Sequence, residues 1–308
     1  MSTRLAELSR DVSYYHIPLK LAHTILAQAC LGVLLRLDDC IDRDKIKAFP
    51  LAEYAAEHWV KHARFENVSS YVKDGMECLF DADKPHYATW LWVYNEENYD
   101  HSMRTMSPDT PEAVPLYYAA RFGFHDLTTH LLAEHPEDIH AKGGDDVTPL
   151  HASARYGHVD VFSLLVEHFL NLDIKLKGYF DRTPLHLASE GGHLMVGQQL
   201  LDRGADINAP DDTDWTPLFV AAMSGQLDFA RMLLERGASI DASSTADRTP
   251  LHTASINGHV EVVRLLLEHG ADPNVCDKLG GTPSVDASRN GWLDIVQLLS
   301  EYGTKSIK

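Results

Sequence analysis

Short apolar runs alternate with polar turns along most of the chain, and their period indicates helices. Within 260–269, four aliphatic residues fall on one side of a helix: Val262, Val263, Leu265 and Leu266. Gly258 precedes this segment and Gly270 follows it, and glycine commonly ends helices because it adopts the left-handed conformation readily. The same arrangement recurs after residue 112, which predicts a series of paired helices.

The first 111 residues have no repeat, and their apolar positions predict four helices. One face of the first helix is marked by residues four apart: Leu21, Ile25, Ala29, Val33 and Leu37. The second helix, over 50–64, places four residues on one side: Leu51, Tyr54, Ala55 and Trp59. Four spaced apolar residues predict the third helix: Val68, Val72, Met76 and Leu79. The fourth covers 87–95, and the Ser-, Thr- and Pro-rich segment 100–111 is the expected linker.

The sequence Thr-Pro-Leu-His occurs at 148–151, 183–186 and 249–252, with weaker copies at 114–117, 216–219 and 282–285. The prolines of these copies are 34, 35, 33, 33 and 33 residues apart. A glycine follows each proline eight residues later, at Gly123, Gly157, Gly192, Gly225, Gly258 and Gly291. Six copies in one register indicate an internal structural repeat.

Each residue of this motif has a physical role in a short helix. The Thr side chain caps the helix by accepting a hydrogen bond from the first turn. Proline at the first helical position loses no hydrogen bond, and its φ is already helical. The glycine ends the helix, and a second helix follows.

These residues resemble the ankyrin repeat, with its Thr-Pro-Leu-His start and 33-residue period. The resemblance covers about 112–302 and implies an all-α solenoid of helix pairs with protruding β-turn fingers, in which each repeat packs on its neighbours. It also implies that the motif histidines bond finger backbone. The expected organisation is a helical adaptor segment at 1–111 and six ankyrin repeats at 112–308. Extra residues predict less regular fingers near 141–146 and 175–179.

The segments 22–31 and 49–59 resemble the helical region between the NTPase and the ankyrin array of fungal NACHT–ankyrin proteins of the NOD-like type. This resemblance covers roughly 13–107 and implies the sensor-like part of a NACHT-type signalling protein. A G-x-x-x-x-G-K-[ST] phosphate-binding motif is missing from the sequence, so the ATPase activity of that family is not expected here.

The net charge is −18, and 15 Lys and Arg stand against 28 Asp and Glu in 112–308. This balance argues against nucleic acid or an anionic membrane as the main partner. It leaves open a partner protein with a basic surface. The four cysteines form no C-x-x-C pair, which favours reduced thiols in a cytoplasmic protein. We expect a monomeric array.

Candidate chemistry is sparse, and we expect no catalytic residues, metal or cofactor. His58 and His62 share a helix face, but a third zinc ligand is not evident. Asp211, Asp212 and Asp214 lie together without the spacing of a calcium loop, so a solvated turn is favoured. Pairing Cys78 with one of 18 histidines carries no weight as a nucleophile and base.

The remaining candidate is a protein-binding surface on the finger tips and first helices, rich in aromatic residues of the kind found at interface hot spots. Packing between neighbouring fingers is the alternative explanation for those rings. The expected partner-binding residues are Asp145, Arg155, Tyr156, Tyr179, Phe180, Arg182, Glu190, Asp212, Trp215, Met223, Arg248, Ile256, Asn257, Lys278 and Arg289.

A non-enzymatic recognition or scaffold protein is therefore the first hypothesis. The first alternative is an enzyme whose active site lies in the N-terminal helices and whose array serves targeting. The second is an acidic regulatory or inhibitory subunit that covers a basic partner.

Overall fold

The computed structural model describes residues 18–37, 51–81, 83–98, 113–143, 146–168 and 174–303. These residues form helices and turns and contain no strand, in agreement with the expected all-α class. They divide into two compact units, one from 1–115 with 126–136 and the other from 116–125 with 137–308. The domain boundary near 111 stays a prediction. No helix of the described part has the length and apolar character needed to cross a membrane.

The described part of the N-terminal unit contains four α-helices before residue 113: α1 (Leu19–Leu34), α2 (Ala52–Ala63), α3 (Lys73–Leu79) and α4 (Pro85–Asn98). A 3-10 helix, Val68–Tyr71, precedes α3. The core of the N-terminal unit is aromatic. Trp59 and Trp90 are fully buried there and lie edge to face, with 5.5 Å between their ring centroids. The Trp90 indole also donates to the carbonyl of Ala56, which fixes α4 on α2.

The expected face of α1 is wrong. Leu21 and Ile25 are each 50% exposed, and the buried face of the helix consists of Ala27, Cys30, Leu31 and Leu34. Of the predicted residues Leu37 is buried, but it follows the end of the helix. Because α1 carries apolar residues around most of its circumference, periodicity alone did not separate the two faces. On α2, Ala55 and Trp59 are buried as expected, while Leu51 and Tyr54 are exposed. All four residues that predicted the third helix are buried.

Within the described residues, twelve further α-helices follow in pairs from residue 115. The first helices of the pairs are Pro115–Phe122, Pro149–Tyr156, Pro184–Gly191, Pro217–Met223, Pro250–Asn257 and Pro283–Arg289. The second helices are His125–Glu134, Val159–His168, Leu194–Asp202, Leu227–Glu235, Val260–Glu268 and Leu293–Gly303. From the second pair onward, each helix packs against its partner in the pair and against the corresponding helix of the next pair, which is the arrangement of a solenoid.

The helix starts follow the motif. Thr148 accepts from the backbone N–H of His151 while the imidazole of His151 accepts from the N–H of Thr148, which satisfies two donors of the first turn. At the other end, Gly225 and Gly258 have φ of 72° and 79°, a conformation that residues with a Cβ adopt only at a cost. Motif and register therefore fix both ends of the first helices.

Between the pairs the chain forms fingers, which we define by the five residues that end two positions before each motif proline: 143–147, 178–182, 211–215, 244–248 and 277–281. In each finger the first residue donates its N–H to the carbonyl of the fifth, at 2.8 to 3.0 Å. From finger 178–182 onward, neighbouring fingers are joined by one backbone bond each, from Asp212 to Phe180, Thr245 to Thr213 and Lys278 to Ala246, at 3.0 to 3.1 Å. These four fingers thus form a continuous row.

Candidate protein-interaction surface

The motif histidines hold the fingers. The Nε2 atom of His186 bonds to the carbonyl of Trp215 at 2.9 Å, and that of His252 to the carbonyl of Gly281 at 3.2 Å. Because a carbonyl only accepts, Nε2 carries the proton and Nδ1 accepts from the backbone N–H of Thr183 or Thr249. Each imidazole therefore links the start of a first helix to the following finger, as the resemblance implies.

Burial keeps these imidazoles neutral. Desolvation lowers the pKa of His151 to about 4, and it also lowers the pKa values of His186 and His252. His151, His186 and His252 are all fully buried. They act as structural hydrogen-bonding groups and contribute no positive charge to the surface near neutral pH.

A second set of bonds joins successive first helices at their C-terminal ends. The residue after each inter-helix glycine donates to a carbonyl near the end of the preceding first helix, at 2.9 to 3.1 Å. The pairs are His158 with Arg121, His193 with Arg155, Gln226 with Glu190, His259 with Met223, and Trp292 with Ile256. These bonds satisfy carbonyls that a helix end would leave unpaired and fix the spacing of the first helices.

Three fingers share one regular turn. Asp211 Oδ1 accepts from the backbone N–H of Thr213 and of Trp215, both at 2.9 Å, and from the Thr213 hydroxyl at 2.7 Å. Asp277 accepts two backbone N–H groups of its finger in the same way, and the Ser244 hydroxyl does so in the finger between them. The three residues are buried, so these bonds are shielded from water. Asp211 is thus an internal cap and not a calcium ligand exposed on a turn.

Finger 178–182 departs from this turn. Gly178 occupies the position of Asp211, Ser244 and Asp277, so no side chain caps the loop. The turn bond shifts by one residue and runs from the N–H of Arg182 to the carbonyl of Tyr179. Phe180 and Asp181 both have positive φ, 56° and 57°. Two successive residues with positive φ are the mark of a type I′ turn, which normally uses Asn and Gly, and a bulky residue there is an outlier.

The predicted binding aromatics differ in exposure. Tyr179 and Phe180 are each 50% exposed with ring centroids 3.8 Å apart, and Tyr156 is 42% exposed. Trp215 is half-buried, since its ring stacks on Phe219 at 5.0 Å. Three of the predicted rings are therefore accessible, while Trp215 also has a packing role.

The other predicted residues lie along the same row of fingers and first helices. The exposed ones are Arg155, Asp212, Asn257, Lys278 and Arg289, and the half-buried ones are Arg182, Glu190, Met223, Arg248 and Ile256. Asp145 lies outside the described residues. Arg182 Nε lies 3.4 Å from Asp211 Oδ2, Arg248 Nε lies 3.2 Å from Asp277 Oδ2, and the guanidinium of Arg182 also covers the Trp215 ring at 5.6 Å. Two predicted binding residues thus also link neighbouring fingers.

A cavity beside finger 178–182 was not predicted from the sequence. It has a volume of about 220 Å³ and is lined by Val147, His151, Arg155, Gly178, Tyr179, Phe180, Arg182 and Leu187. The signal in the sequence is Gly178, which stands where the next three fingers have Asp or Ser. Gly178 comes close to the His151 ring, because a Cβ at this glycine would lie 3.5 Å from Nε2.

The predicted histidine pair on α2 belongs to a cluster with α1. His62 is buried, with Nδ1 2.9 Å from Nδ1 of His23 and Nε2 3.2 Å from the Tyr54 hydroxyl, while His58 stacks on Tyr54. Burial first, and then neighbouring His23, His58 and Lys61, lower the pKa of His62. In the described part of the chain, no three His, Cys, Asp or Glu side chains are arranged to hold a metal.

A charged cleft of about 450 Å³ in the N-terminal unit includes Cys78, Lys84 and His130. Lys84 Nζ lies 3.7 Å from Cys78 Sγ and 2.7 Å from Asp81 Oδ2. Hydrogen bonding to Lys84 lowers the pKa of Asp81. This ion pair compensates the charge of Lys84.

Comparison with known proteins agrees with the repeat geometry. A family model described as ankyrin repeats matches three times, at 116–211, 170–244 and 241–308. Azaphilone pigments biosynthesis cluster protein L of Monascus ruber is 29% identical over 160 residues, which cover 47% of this chain and 34% of that protein. Alpha-latrocrustotoxin-Lt1a of Latrodectus tredecimguttatus is 33% identical over 61 residues, which cover 20% of this chain and 4% of the toxin.

The matched parts thus span about a third, or far less, of these relatives. The family matches, by contrast, cover the chain from 116 to its end. They agree with the Thr-Pro-Leu-His motif, the paired helices and the row of fingers. The chain belongs to the ankyrin-repeat family.

Proposed function

We propose that this protein is a non-enzymatic recognition or scaffold protein whose partner docks on the row of fingers and first helices. The observation that carries the proposal is the pair Tyr179 and Phe180, two rings that stay half exposed at a finger tip. Aromatic rings bury large areas at low entropic cost and are enriched at interface hot spots. Ankyrin repeats form protein-interaction modules, which agrees with this assignment.

The test is binding to a partner isolated with the full-length chain from its source organism. Affinity is then measured by calorimetry for the wild type, Tyr179→Ala and Met195→Ala. Met195 is a matched control because it is 57% exposed but lies on a second helix. Tyr179→Ala should weaken binding about thirtyfold, the size of a hot-spot loss, and Met195→Ala should have no effect. Equal affinities for all three proteins would reject the finger surface.

The acidic balance of the array supports a partner with basic groups opposite exposed Asp212 and Asp214. Binding of such a partner should weaken steeply as salt rises. The free thiols of Cys30, Cys78 and Cys276 support a cytoplasmic location, where thiols stay reduced. A monomeric array without nucleic acid or membrane partners is part of the same proposal, and light scattering of the purified chain tests the monomer.

A finer role rests on the N-terminal segments that resemble fungal NACHT–ankyrin proteins. We propose that the array acts as the sensor-like part of such a signalling protein and that the N-terminal helices connect it to the nucleotide switch. The genomic sequence upstream of Met1 tests this proposal. A nearby NACHT-coding exon would support it, and transcripts that begin at Met1 without one would reject it.

A further inference from the structure

The cavity beside finger 178–182 has the size and chemistry of a pocket for one residue of a partner. We propose that it receives an apolar side chain of an extended peptide segment while Arg155 pairs with a carboxylate next to that side chain. This inference rests on the proposed protein-binding function and names the chemistry of one anchor.

The walls favour an apolar side chain. Val147 and Leu187 are buried at one side, and the rings of Tyr179 and Phe180 form another. A volume of about 220 Å³ is smaller than the sites that hold whole small molecules, which usually exceed about 300 Å³. A single large aliphatic or aromatic side chain suits this space.

The charges favour a carboxylate at the rim. Arg155 is exposed and forms no ion pair within the described residues, whereas Arg182 on the same cavity faces Asp211 and Glu190. His151 is neutral near pH 7 because burial lowers its pKa to about 4. The positive charge available to a ligand is therefore that of Arg155, and a guanidinium binds carboxylates with two parallel hydrogen bonds.

The neighbours of Arg182 explain why its charge is not available to a ligand. Its guanidinium lies 3.4 Å from Asp211 Oδ2 and 3.7 Å from Glu190 Oε2, and the Glu190 atom is buried without a hydrogen-bond partner in the described structure. A buried acceptor is costly unless a nearby donor or positive charge compensates it. Arg182 therefore serves carboxylates of the array, and Arg155 is the arginine of the cavity lining that can meet a ligand.

The backbone of Phe180 points to the same site. A Phe at φ 56° costs free energy, yet its ring stays half exposed and gains little from packing in the free protein. Such a conformation is understandable if the ring contributes to binding. Asn adopts positive φ readily, so Phe180→Asn should keep the turn while it removes the ring.

The test uses a phage library of random nonapeptides selected in parallel on the full-length wild type, Arg155→Glu and Arg231→Glu. Arg231 is a matched control, because it is an exposed arginine that lies on a second helix, away from the fingers and first helices. Wild type and Arg231→Glu should select an apolar residue beside Asp or Glu. Arg155→Glu should lose this preference or exchange it for Lys or Arg.

A synthetic peptide of the wild-type consensus should bind about tenfold more weakly to Arg155→Ala and to Phe180→Asn. Thermal melting should show that neither variant is unfolded. A consensus without an acidic residue, a consensus unchanged in Arg155→Glu, or no selected peptide would overturn the proposed pocket. Peptides that depend on Trp215 and not on Arg155 would also overturn it but would leave the finger surface in place.

Discussion

Fingers 211–215 and 178–182 have the same length and the same closing backbone bond, but they are stabilised in different ways. In finger 211–215 one buried carboxylate accepts three hydrogen bonds and fixes the turn from within. In finger 178–182 a glycine replaces that residue, the turn shifts by one position, and Phe180 takes a left-handed conformation. The two turns thus differ together with the residue at the first finger position, which is a capping carboxylate in one and glycine in the other.

The histidine below each finger interacts with the same two backbone positions in both cases, but its hydrogen bond differs. His186 bonds to the carbonyl of Trp215, the fifth residue of finger 211–215, and also interacts with the backbone of Ala209. His151 bonds to the carbonyl of Leu176, just before finger 178–182, and also interacts with the backbone of Arg182. The cavity lies where His151, Gly178 and the two rings meet. Finger 178–182 therefore lacks an internal cap but has a cavity beside it and two accessible rings, those of Tyr179 and Phe180.

The largest effect is expected for removal of a finger cap. Asp211→Ala leaves two backbone N–H groups without their acceptor and Arg182 without its carboxylate. We expect a loss of about 4 kcal/mol in the free energy of unfolding. Urea denaturation measures it, with Asp212→Ala as an exposed control of near-zero effect. A loss under about 1 kcal/mol would show that the cap does not define the regular fingers.

Protonation of His151 at acid pH should lower the free energy of unfolding by a similar amount. The pKa of His151 is about 4 in the folded chain and near 6.5 when unfolded, so protonation favours the unfolded state. The resulting stability loss begins as pH falls through 6.5 and continues to about 4. It amounts to about 3 kcal/mol for this group alone.

Urea denaturation at pH 7, 5.5 and 4.5 tests the contribution of His151. Its replacement by Gln should lower stability at pH 7 and reduce the further loss at pH 4.5. An equal loss in both proteins would assign the acid response to other groups, such as His186, His252 and His62, whose pKa values are also lowered.

A smaller effect is expected at Trp215, which is part of a regular finger. Its ring stacks on Phe219 and under the Arg182 guanidinium, so Trp215→Ala should cost about 2 kcal/mol of stability. Tyr179→Ala should cost well under half of that, because the Tyr179 ring is half exposed. Thermal melting of the two variants compares the fingers directly. A reversed order would mean that finger 178–182 is the better packed of the two.

The smallest expected effect is an increase in stability, for the substitution Gly178→Asp. Gly178→Asp would supply the missing acceptor, and its Cβ would meet its nearest neighbours at ordinary contact distances of 3.5 Å or more. We expect about 1 kcal/mol of added stability and weaker peptide binding, because the regular turn moves Phe180. Gly178→Ala, which adds the same Cβ without an acceptor, is the control. If Asp and Ala behave alike, the cap is not what separates the two turns.

The sequence predicted the array well because several residues at fixed positions in each repeat indicate where its helices begin and end. In the three full copies of the motif, threonine, proline and histidine mark the start of the first helix and glycine marks its end, and the structure places them there. The conformation of Phe180 was not predicted, since positive φ is unusual for Phe. The candidate surface was predicted as a row of residues, but its cavity was not, since its lining comes from two fingers and two first helices that only the fold brings together.

The N-terminal helices lack such repeated signals, and the buried side of α1 was assigned wrongly there. Leu21 and Ile25 fit a helical period as well as Leu31 and Leu34 do. Only packing against α2 and α3 distinguishes the two sides. The cluster of His23 with His62 was missed for the same reason, because it joins residues 39 positions apart on two helices.

The bonds between successive first helices imply an order in which the array opens. Each bond joins one repeat only to the repeat before it, so among the described repeats the one at 283–303 is held from one side, while those from 149 to 268 are held from both. Amide hydrogen exchange should therefore be fastest in Leu293–Gly303 and slow toward the middle of the array. The Trp292 indole donates the bond that joins repeat 283–303 to the repeat before it, through the carbonyl of Ile256. The fluorescence of Trp292 should therefore change when this repeat separates from its neighbour.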